Sequence, residues 1–412
     1  MVVGFGVKGL GAATSFLFTW LLARIAGAAG VGTFGTSLTT VQLSVTLALL
    51  GLDAILVRSV SVHLAQNDTG RARAAARHAL IMGTSAGLAL TTIIVLFHWQ
   101  IAVDLIGSPA IAKSLMVLSL IIPIMVYCRL LSTVLRGVKW IGLSQFIDGP
   151  MTTSFGSLVL AVVLVTGTPV SAVFPSQLYL IGWLITAALA TFLYARAVRS
   201  WQPRTTLDES LLKPGFLILI ANLNNVFTDW FATIMLAATH GPAEAGLFRV
   251  GYQIAATLKL FSATSETILQ PVFAVAYRQG DLRRIGRILR LTILGLLLLA
   301  SPLALAVLVV PQWIMQIFGA QFTAGAPAMQ IMVLGQVFSL VFAASGSVLM
   351  MASRERLTVV LTTISAVIGT VLSLLFIPPY GALGAAIAIL GPLLFLRLAS
   401  MIAVRRLGVP IF

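Results

Sequence analysis

The chain has very little charge and almost no cysteine. Charged residues make up 9% of its 412 residues, whereas soluble domains carry about 25%. The single cysteine, Cys128, excludes an intrachain disulfide and a cysteine-based metal cluster. The sequence contains no nucleotide-binding loop, metal-ligand cluster or nucleophile–base set, so an enzyme is not expected.

Hydrophobic residues are what the sequence has in excess. They form 59% of the chain, and the mean hydropathy is +1.05. They recur in runs long enough to cross about 30 Å of hydrocarbon. Inside lipid such runs must be helical, because every backbone polar group needs a partner within the segment. We therefore predict an all-α polytopic membrane protein with about twelve spans, near 5–25, 34–60, 79–98, 114–135, 146–166, 176–195, 214–238, 246–275, 289–310, 328–351, 357–377 and 382–403.

The basic residues are concentrated in alternate loops. The chain has 26 basic and 11 acidic residues, a net charge of +15. With the predicted spans, one side of the membrane receives 18 basic residues and the other receives Lys113 alone. The positive-inside rule places the basic side, with both termini, in the cytoplasm. These loops require anionic lipid headgroups as partners and no nucleic acid. The 18 residues lie within 71–77, 136–139, 196–213, 278–290, 354–356 and 405–406.

A short phrase occurs twice, half a chain apart. GAAGVGTF begins at Gly27 and GPAEAGLF begins at Gly241, 214 residues later. DLIG at 104–107 is likewise paralleled by QIFG at 316–319. Membrane transporters are often built from such internal repeats. Six spans per half is an even number, so we predict two six-helix lobes, 1–205 and 206–412, related by a pseudo-two-fold axis along the membrane normal.

Three longer segments carry a resemblance to a known family. LLARIAGAAGVGTFGTS at 21–37, GLDAILVRSV at 51–60 and LRGVKWIGLSQF at 135–146 resemble the polysaccharide-unit (O-antigen and exopolysaccharide) flippases. That family belongs to the multidrug/oligosaccharidyl-lipid/polysaccharide exporter superfamily. The resemblance covers nearly the whole chain, which begins almost at its first span with less N-terminal tail than is usual.

The resemblance implies a fold and a function. It implies two six-helix lobes around a central cavity, and alternating access that moves a polyprenyl-diphosphate-linked oligosaccharide from the cytoplasmic to the outer leaflet. The expected location is the bacterial cytoplasmic (inner) membrane. Other membrane proteins of polysaccharide assembly are the expected protein partners.

Four other functions stay open at this point. A cation-coupled multidrug exporter of the same superfamily would favour an acidic, aromatic cavity, and the basic excess argues against it. A peptidoglycan-precursor flippase often has more than twelve spans. A polymerase or ligase of the same pathway needs a sizeable outer loop with reactive side chains. GDLRRIGRI at 280–288 resembles a loop of major facilitator transporters, although Asp281 precedes Leu282 where that loop has the reverse order.

Charged and polar side chains inside the spans are the candidate functional residues. Such residues are costly in lipid, so we expect them to face the bundle interior or a wet cavity. Arginine can bind a diphosphate bidentately, and lysine serves as a point charge. The substrate-binding candidates are Lys8, Arg58, Arg249, Lys259, Asn222 and Asn225. The candidates for a coupling proton or sodium ion are Asp229, Glu266 and Asp53, and beyond such an ion we expect no cofactor.

Structural roles compete with these functional ones. Asn222, Asn225 and Asp229 share one line of span seven with Thr233 and His240. That line is either a cavity wall or a set of interhelical hydrogen bonds. An unpaired Lys259 at mid-depth would bind an anionic headgroup, whereas a paired Lys259 would have a structural role. The side chains of Arg58, Arg24 and Arg397 could instead extend to the headgroups. An Arg129–Asp148 pair is predicted to brace spans four and five.

Overall fold

The structure is a computed structural model that describes residues 2–202, 212–279, 282–342 and 355–406. Within these ranges the secondary structure is helical, and no strand occurs. Contacts divide the chain into two compact units, Met1–Val226 and Phe227–Phe412. The predicted lobe boundary at 205/206 lies outside the described residues and stays a prediction.

Unit 1 contains eight helices and the first residues of a ninth. α1 packs against α7, and α3 packs against α5. The helices are α1 (Val2–Leu49), α2 (Leu52–Ala65), α3 (Thr69–Gln100, continued by a π-turn at Ile101–Leu105), α4 (Pro109–Ser119), α5 (Ile121–Gly137), α6 (Ile141–Ile147), α7 (Pro150–Thr166), α8 (Phe174–Ala197) and the start of α9 (Leu212–Arg278).

Unit 2 holds the remainder of α9 and four further described helices. α12 packs against α13 and α10. The helices are α10 (Leu282–Val309), α11 (Pro311–Gln316), a 3₁₀ turn at Ala320–Gly325, α12 (Ala326–Val341) and α13 (Glu355–Arg406).

Three helices are much longer than a membrane is thick, and each is broken at a glycine. α1, α9 and α13 contain 48, 67 and 52 residues. At 1.5 Å per residue, α1 alone would extend about 72 Å, against about 30 Å of hydrocarbon. The backbone is non-helical at Gly27, Gly241 and Gly381, where φ is 66°, 84° and 56°. Each of these helices therefore consists of two arms.

The prediction of an all-helical, multi-pass membrane protein is confirmed. In the part of the chain that the structure describes, six helices are long and apolar enough to span a membrane, and two bent helix pairs bring the total to eight. Once the arms of the broken helices are separated, most predicted spans correspond in order to these helices or arms. The predicted span 34–60 is an exception, because it crosses a break at Gly51 and combines the second arm of α1 with the first part of α2. The end of the predicted span 328–351 lies outside the described residues.

The core and the lipid-facing surface follow the apolar pattern. A buried aromatic group in unit 1 joins Phe18, Phe34 and Tyr179, with ring centroids 5.4 to 5.9 Å apart. Cys128 is buried, as expected for a small apolar residue. On α10, Leu298 is 76% exposed and Leu294 is 64% exposed. A soluble domain would not leave such a leucine face uncovered, and hydrocarbon is its natural solvent.

Candidate functional site

The best-defined polar site lies in unit 2, where the two arms of α9 meet. Asp229 lies on the first arm, and Tyr252 and Lys259 lie on the second, after the break at Gly241. Tyr252 and Lys259 are seven residues apart, or two helical turns, and therefore share one face. The break brings Asp229 opposite that face, because it lets the chain change direction between the arms.

A continuous hydrogen-bonded chain joins the three side chains. The Tyr252 hydroxyl donates to Oδ2 of Asp229 at 2.7 Å. Nζ of Lys259 donates to the same hydroxyl oxygen at 3.0 Å. Both bonds involve an ionised group, and charge-assisted bonds of this kind are stronger than neutral ones. The lysine and the aspartate are therefore linked through one neutral hydroxyl.

The ring of Tyr252 has two cations nearby. Nζ of Lys259 lies 4.8 Å from the ring centroid, and Cζ of Arg249 lies 5.6 Å from it. Both distances are within the roughly 6 Å range of cation–π attraction. Tyr252 therefore contacts both predicted basic residues of this arm.

A third basic residue comes from α13. Nε of Arg397 donates to Oγ of Ser339, on α12, at 3.0 Å. Arg397 also interacts electrostatically with Lys259, as a like charge. Asp229, Arg249, Tyr252, Lys259 and Arg397 are called the Tyr252 cluster below. It combines three basic groups with one carboxylate, so its formal charge is positive.

A narrow cavity lies beside the cluster. Tyr252, Met332 and Gln336 line it together with small and branched apolar residues of α9 and α13. Gln336 supplies the amide, which is 7% exposed. The cavity has room for roughly one water molecule. In this conformation a large headgroup therefore cannot enter at this point.

Unit 1 has a smaller charged cluster, which contains the predicted brace. Nη2 of Arg136 donates to Asp148 at 3.4 Å, and Nε of Arg129 lies 4.0 Å from the same carboxylate. Nε of Arg136 also donates to Oγ of Ser144 at 3.2 Å. The pairing of Arg129 with Asp148 is confirmed, and Arg136 joins it. Asp148 lies between α6 and α7, so the cluster ties α5 to that bend.

The remaining predicted residues lie elsewhere. In unit 1, Lys8 is half-buried on α1, Arg58 is exposed on α2, and Asp53 is half-buried in the first turn of α2. On the first arm of α9, Asn222 and Asn225 are exposed, and the Asn225 amide donates to the Ala221 carbonyl. The backbone of α9 is helical at Glu266, and its side chain lies outside the described residues.

Two members of the Tyr252 cluster were absent from the predicted site. Tyr252 is neutral, so the high cost of charge in lipid does not single it out as a candidate. Its position two turns before Lys259 was the available signal. Arg397 was expected to extend to the headgroups, and instead donates a hydrogen bond to Ser339. No local pattern relates positions 339 and 397, because they lie on different helices.

Comparison with known proteins identifies the family. The sequence model of the family described as "Polysaccharide biosynthesis protein" matches residues 2–276, well over half of the chain. The chain belongs to this family. The model of a second family, MatE, matches residues 218–375 of this Polysaccharide biosynthesis protein family member. The family that the three sequence segments resemble is thereby confirmed.

A curated relative is similar to this chain over less than half of its own length. It is the "Probable low-salt glycan biosynthesis flippase Agl15" of Haloferax volcanii, 22% identical over 194 residues. The match spans 44% of this chain and 41% of the relative.

Solved structures that resemble this family member show the same fold over 98% of the chain. A multidrug resistance MATE family transporter of the MOP superfamily, in its inward-facing conformation, has a TM-score of 0.77 and 14% identity. That alignment covers 98% of this chain and 97% of the other. The lipid II flippase MurJ, in an inward closed conformation, also has a TM-score of 0.77 and 14% identity, with coverage of 98% and 88%. The expected superfamily fold is confirmed.

Proposed function

We propose that this protein moves a polyprenyl-diphosphate-linked oligosaccharide from the cytoplasmic to the outer leaflet of a bacterial inner membrane by alternating access. Membership of the Polysaccharide biosynthesis protein family supports this function. Two similar proteins are named flippases, one for glycan biosynthesis and one for lipid II. The loop charges support an orientation with both termini in the cytoplasm.

The observation that carries the proposal is the charge of the Tyr252 cluster. Among the side chains that the structure describes, Arg249, Lys259 and Arg397 outnumber the one carboxylate of the cluster, Asp229. Excess positive charge within a membrane-spanning bundle is costly unless an anion or water compensates it. A diphosphate supplies that compensation, because guanidinium groups bind phosphate oxygens in pairs and an ammonium group adds a point charge.

The other predicted residues receive roles in the same proposal. Lys8 and Arg58 are assigned as further phosphate contacts, and Asn222 and Asn225 as contacts of the sugar hydroxyls. Asp229 binds the coupling proton or sodium ion, with Asp53 and Glu266 as further candidates for that role. Other polysaccharide-assembly membrane proteins would supply the substrate and remove the product.

A cation-coupled multidrug exporter is the second candidate function. The MatE match over 218–375 favours it, as does the aromatic ring of Tyr252 beside the Asp229 carboxylate. In that function Asp229 would hold an organic cation. The two basic side chains against the ring, Arg249 and Lys259, oppose it, because they would repel such a substrate at close range.

Reconstitution in sealed vesicles tests the proposal and separates the two functions. The full-length protein is assayed with a polyprenyl-diphosphate oligosaccharide and, in parallel, with a cationic dye. A variant with Arg249, Lys259 and Arg397 replaced by Gln should lose flipping at least tenfold, since each charge-assisted hydrogen bond is worth about 1.5–3 kcal/mol. The control replaces three exposed basic residues, Lys113, Arg196 and Arg199, by Gln and should flip at the wild-type rate.

Two results would contradict the proposal. One is an unchanged flipping rate in the cluster variant when both variants insert equally well in the membrane. The other is dye transport by the wild type without any flipping of the lipid-linked glycan, which would favour the exporter.

A further inference from the structure

We propose that His240 and Glu244 bind the ammonium group of a membrane lipid headgroup, as in phosphatidylethanolamine, at the turn between the two arms of α9. The site lies in unit 2, on the side that is predicted to face outwards. The inference goes beyond the proposed function and requires neither its substrate nor its coupling ion. It starts from a difference between the two copies of the repeated phrase.

The second copy of the phrase has polar side chains where the first copy has none. Glu244 stands at the position of Gly30, and His240, just before the phrase, stands at the position of Ala26. The turn at Gly27 nevertheless has nearly the same backbone conformation as the turn in unit 2. The turn itself therefore does not require an imidazole or a carboxylate at these positions.

Glu244 is held against the break of α13. Its Oε1 atom accepts from the backbone N–H of Ala382 at 3.2 Å, and Ala382 directly follows the break at Gly381. Within the described part of the chain, Oε2 has no hydrogen-bond partner and no basic side chain pairs with the carboxylate. Glu244 therefore keeps a free acceptor and a negative charge that can attract a cation.

The imidazole of His240 is fixed in one tautomer. The Thr239 hydroxyl donates its single proton to the Met235 carbonyl at 2.8 Å. The same hydroxyl oxygen lies 2.9 Å from Nδ1 of His240 and therefore accepts a hydrogen bond from it. Nδ1 thus carries the proton of the neutral ring. Nε2 keeps its lone pair and is a second free acceptor.

The break at Gly381 shows that the two acceptors lie close together. A Cβ atom at Gly381 would lie 3.0 Å from Oε1 of Glu244 and 3.5 Å from Nε2 of His240. Both groups therefore border the same part of the turn. The His240 side chain is exposed and Glu244 is half-buried, so a ligand can reach them from the membrane surface.

The chemistry of this pair favours a cation that carries several N–H donors. Both groups are acceptors, and one of them is charged. Among the described residues no third histidine, cysteine or acid joins them, so a metal ion would have too few protein ligands. A primary ammonium group supplies three N–H donors and a positive charge, and its hydrogen bonds to the two acceptors would be charge-assisted.

The surroundings favour a lipid as the source of the ammonium group. The turn lies between two predicted spans, and therefore at the level of the headgroups. On the first arm of α13, Leu374 and Leu375 are exposed, and acyl chains are the natural cover for such a surface. Tyr380, next to the break, is also exposed, as tyrosines at a membrane interface often are. Acyl chains along α13 would bring the headgroup to His240 and Glu244.

Native mass spectrometry of the full-length protein in detergent tests the proposal with a series of lipids. Phosphatidylethanolamine, its N-methyl and N,N-dimethyl derivatives, and phosphatidylcholine differ only in the number of N–H donors, which falls from three to none. We expect phosphatidylethanolamine and the N-methyl lipid to bind about tenfold more tightly than phosphatidylcholine at one site per chain. The N,N-dimethyl lipid, which has one donor for two acceptors, should be intermediate.

Two variants and a control locate the site. Glu244→Gln keeps an oxygen for the Ala382 N–H and removes the charge, and His240→Phe keeps a ring and removes the Nε2 acceptor. In each variant the preference for phosphatidylethanolamine over phosphatidylcholine should fall to about twofold or less. Asp104→Asn is the matched control, because it removes an exposed carboxylate from the turn after α3, on the same predicted side. It should keep the wild-type preference.

Several results would overturn the inference. Equal binding of phosphatidylethanolamine and phosphatidylcholine by the wild type is one, and an unchanged preference in either site variant is another. If Glu244→Gln accumulates poorly, His240→Phe decides alone, since it leaves the bond between Glu244 and Ala382 in place. Free ethanolamine and glucosamine offer the same ammonium group without acyl chains. Displacement of the lipid by an equal concentration of either would show that the site binds a soluble amine and contradict the lipid assignment.

Discussion

Single carboxylates organise the basic side chains at the residue scale. In unit 2, Asp229 reaches Lys259 through Tyr252. In unit 1, Asp148 pairs with Arg129 and Arg136 directly. The two arrangements differ in exposure, because the side chains of the unit 1 pairs are 31% to 40% exposed. Water screens ion pairs of that kind, so their contribution to stability is small.

Asp148→Asn tests how strongly the unit 1 cluster stabilises the protein. We expect the free energy of unfolding to fall by about 1 kcal/mol or less, the usual value of a solvated ion pair. Thermal unfolding in detergent measures it, with Asp104→Asn on the exposed π-turn after α3 as the control. A loss of several kcal/mol would mean that the arginines are effectively desolvated and that Asp148 is their essential counterion.

At the scale of single elements, glycines with positive φ determine where the long helices break. Gly27 and Gly241, the first residues of the repeated phrase, have φ/ψ of 66°/−171° and 84°/171°. This region of backbone space is populated almost only by glycine. The same conformation at equivalent positions explains why the phrase is repeated: each copy must break a long helix at the same point. The sequence shows the repeat of the phrase, and the structure shows that each copy is continuous with the helices on both sides.

Gly241→Ala should destabilise unit 2 through backbone strain alone. A Cβ atom at Gly241 would meet no atom within 4 Å, so the expected cost of about 1–3 kcal/mol comes from the unfavourable φ/ψ. Gly295 is equally open but lies within the helix α10, where alanine is favoured by about 1 kcal/mol. Melting temperatures in detergent should therefore fall for Gly241→Ala and hold or rise for Gly295→Ala. Equal shifts in both would rule out strain at Gly241.

The internal repeat extends through the whole molecule. Positive φ recurs at Gly27 and Gly241, at Gly107 and Gly319, and at Gly167 and Gly381. The members of these pairs are 214, 212 and 214 residues apart. Each glycine follows an odd-numbered predicted span and precedes an even-numbered one. The first two pairs were visible in the sequence as GxAxxGxF and as DLIG with QIFG, and the third has no sequence motif.

The orientation in the membrane is a prediction for the whole molecule. All six glycines lie between spans on the side that carries Lys113, which should face outwards. Buried Cys128 is a poor target for thiol reagents, so single cysteines can be introduced. In intact cells, Lys113→Cys should react with a membrane-impermeant maleimide, and Arg199→Cys should react only after permeabilisation. Both side chains are exposed, and the reverse labelling pattern would invert the topology.

The sequence by itself determined that the chain lies in lipid, that its fold is all-helical, that it contains an internal repeat, and which family it belongs to. Hydropathy and loop charge are sums over neighbouring residues, so they can be read without a fold. The tertiary structure alone decided which charges meet. Asp229, Tyr252 and Arg397 lie on separate helical arms. Tyr252 belongs to the site because its hydroxyl lies between the charged groups of Asp229 and Lys259. Such contacts depend on where long helices break and pack, which is a property of the folded chain and not of any local segment.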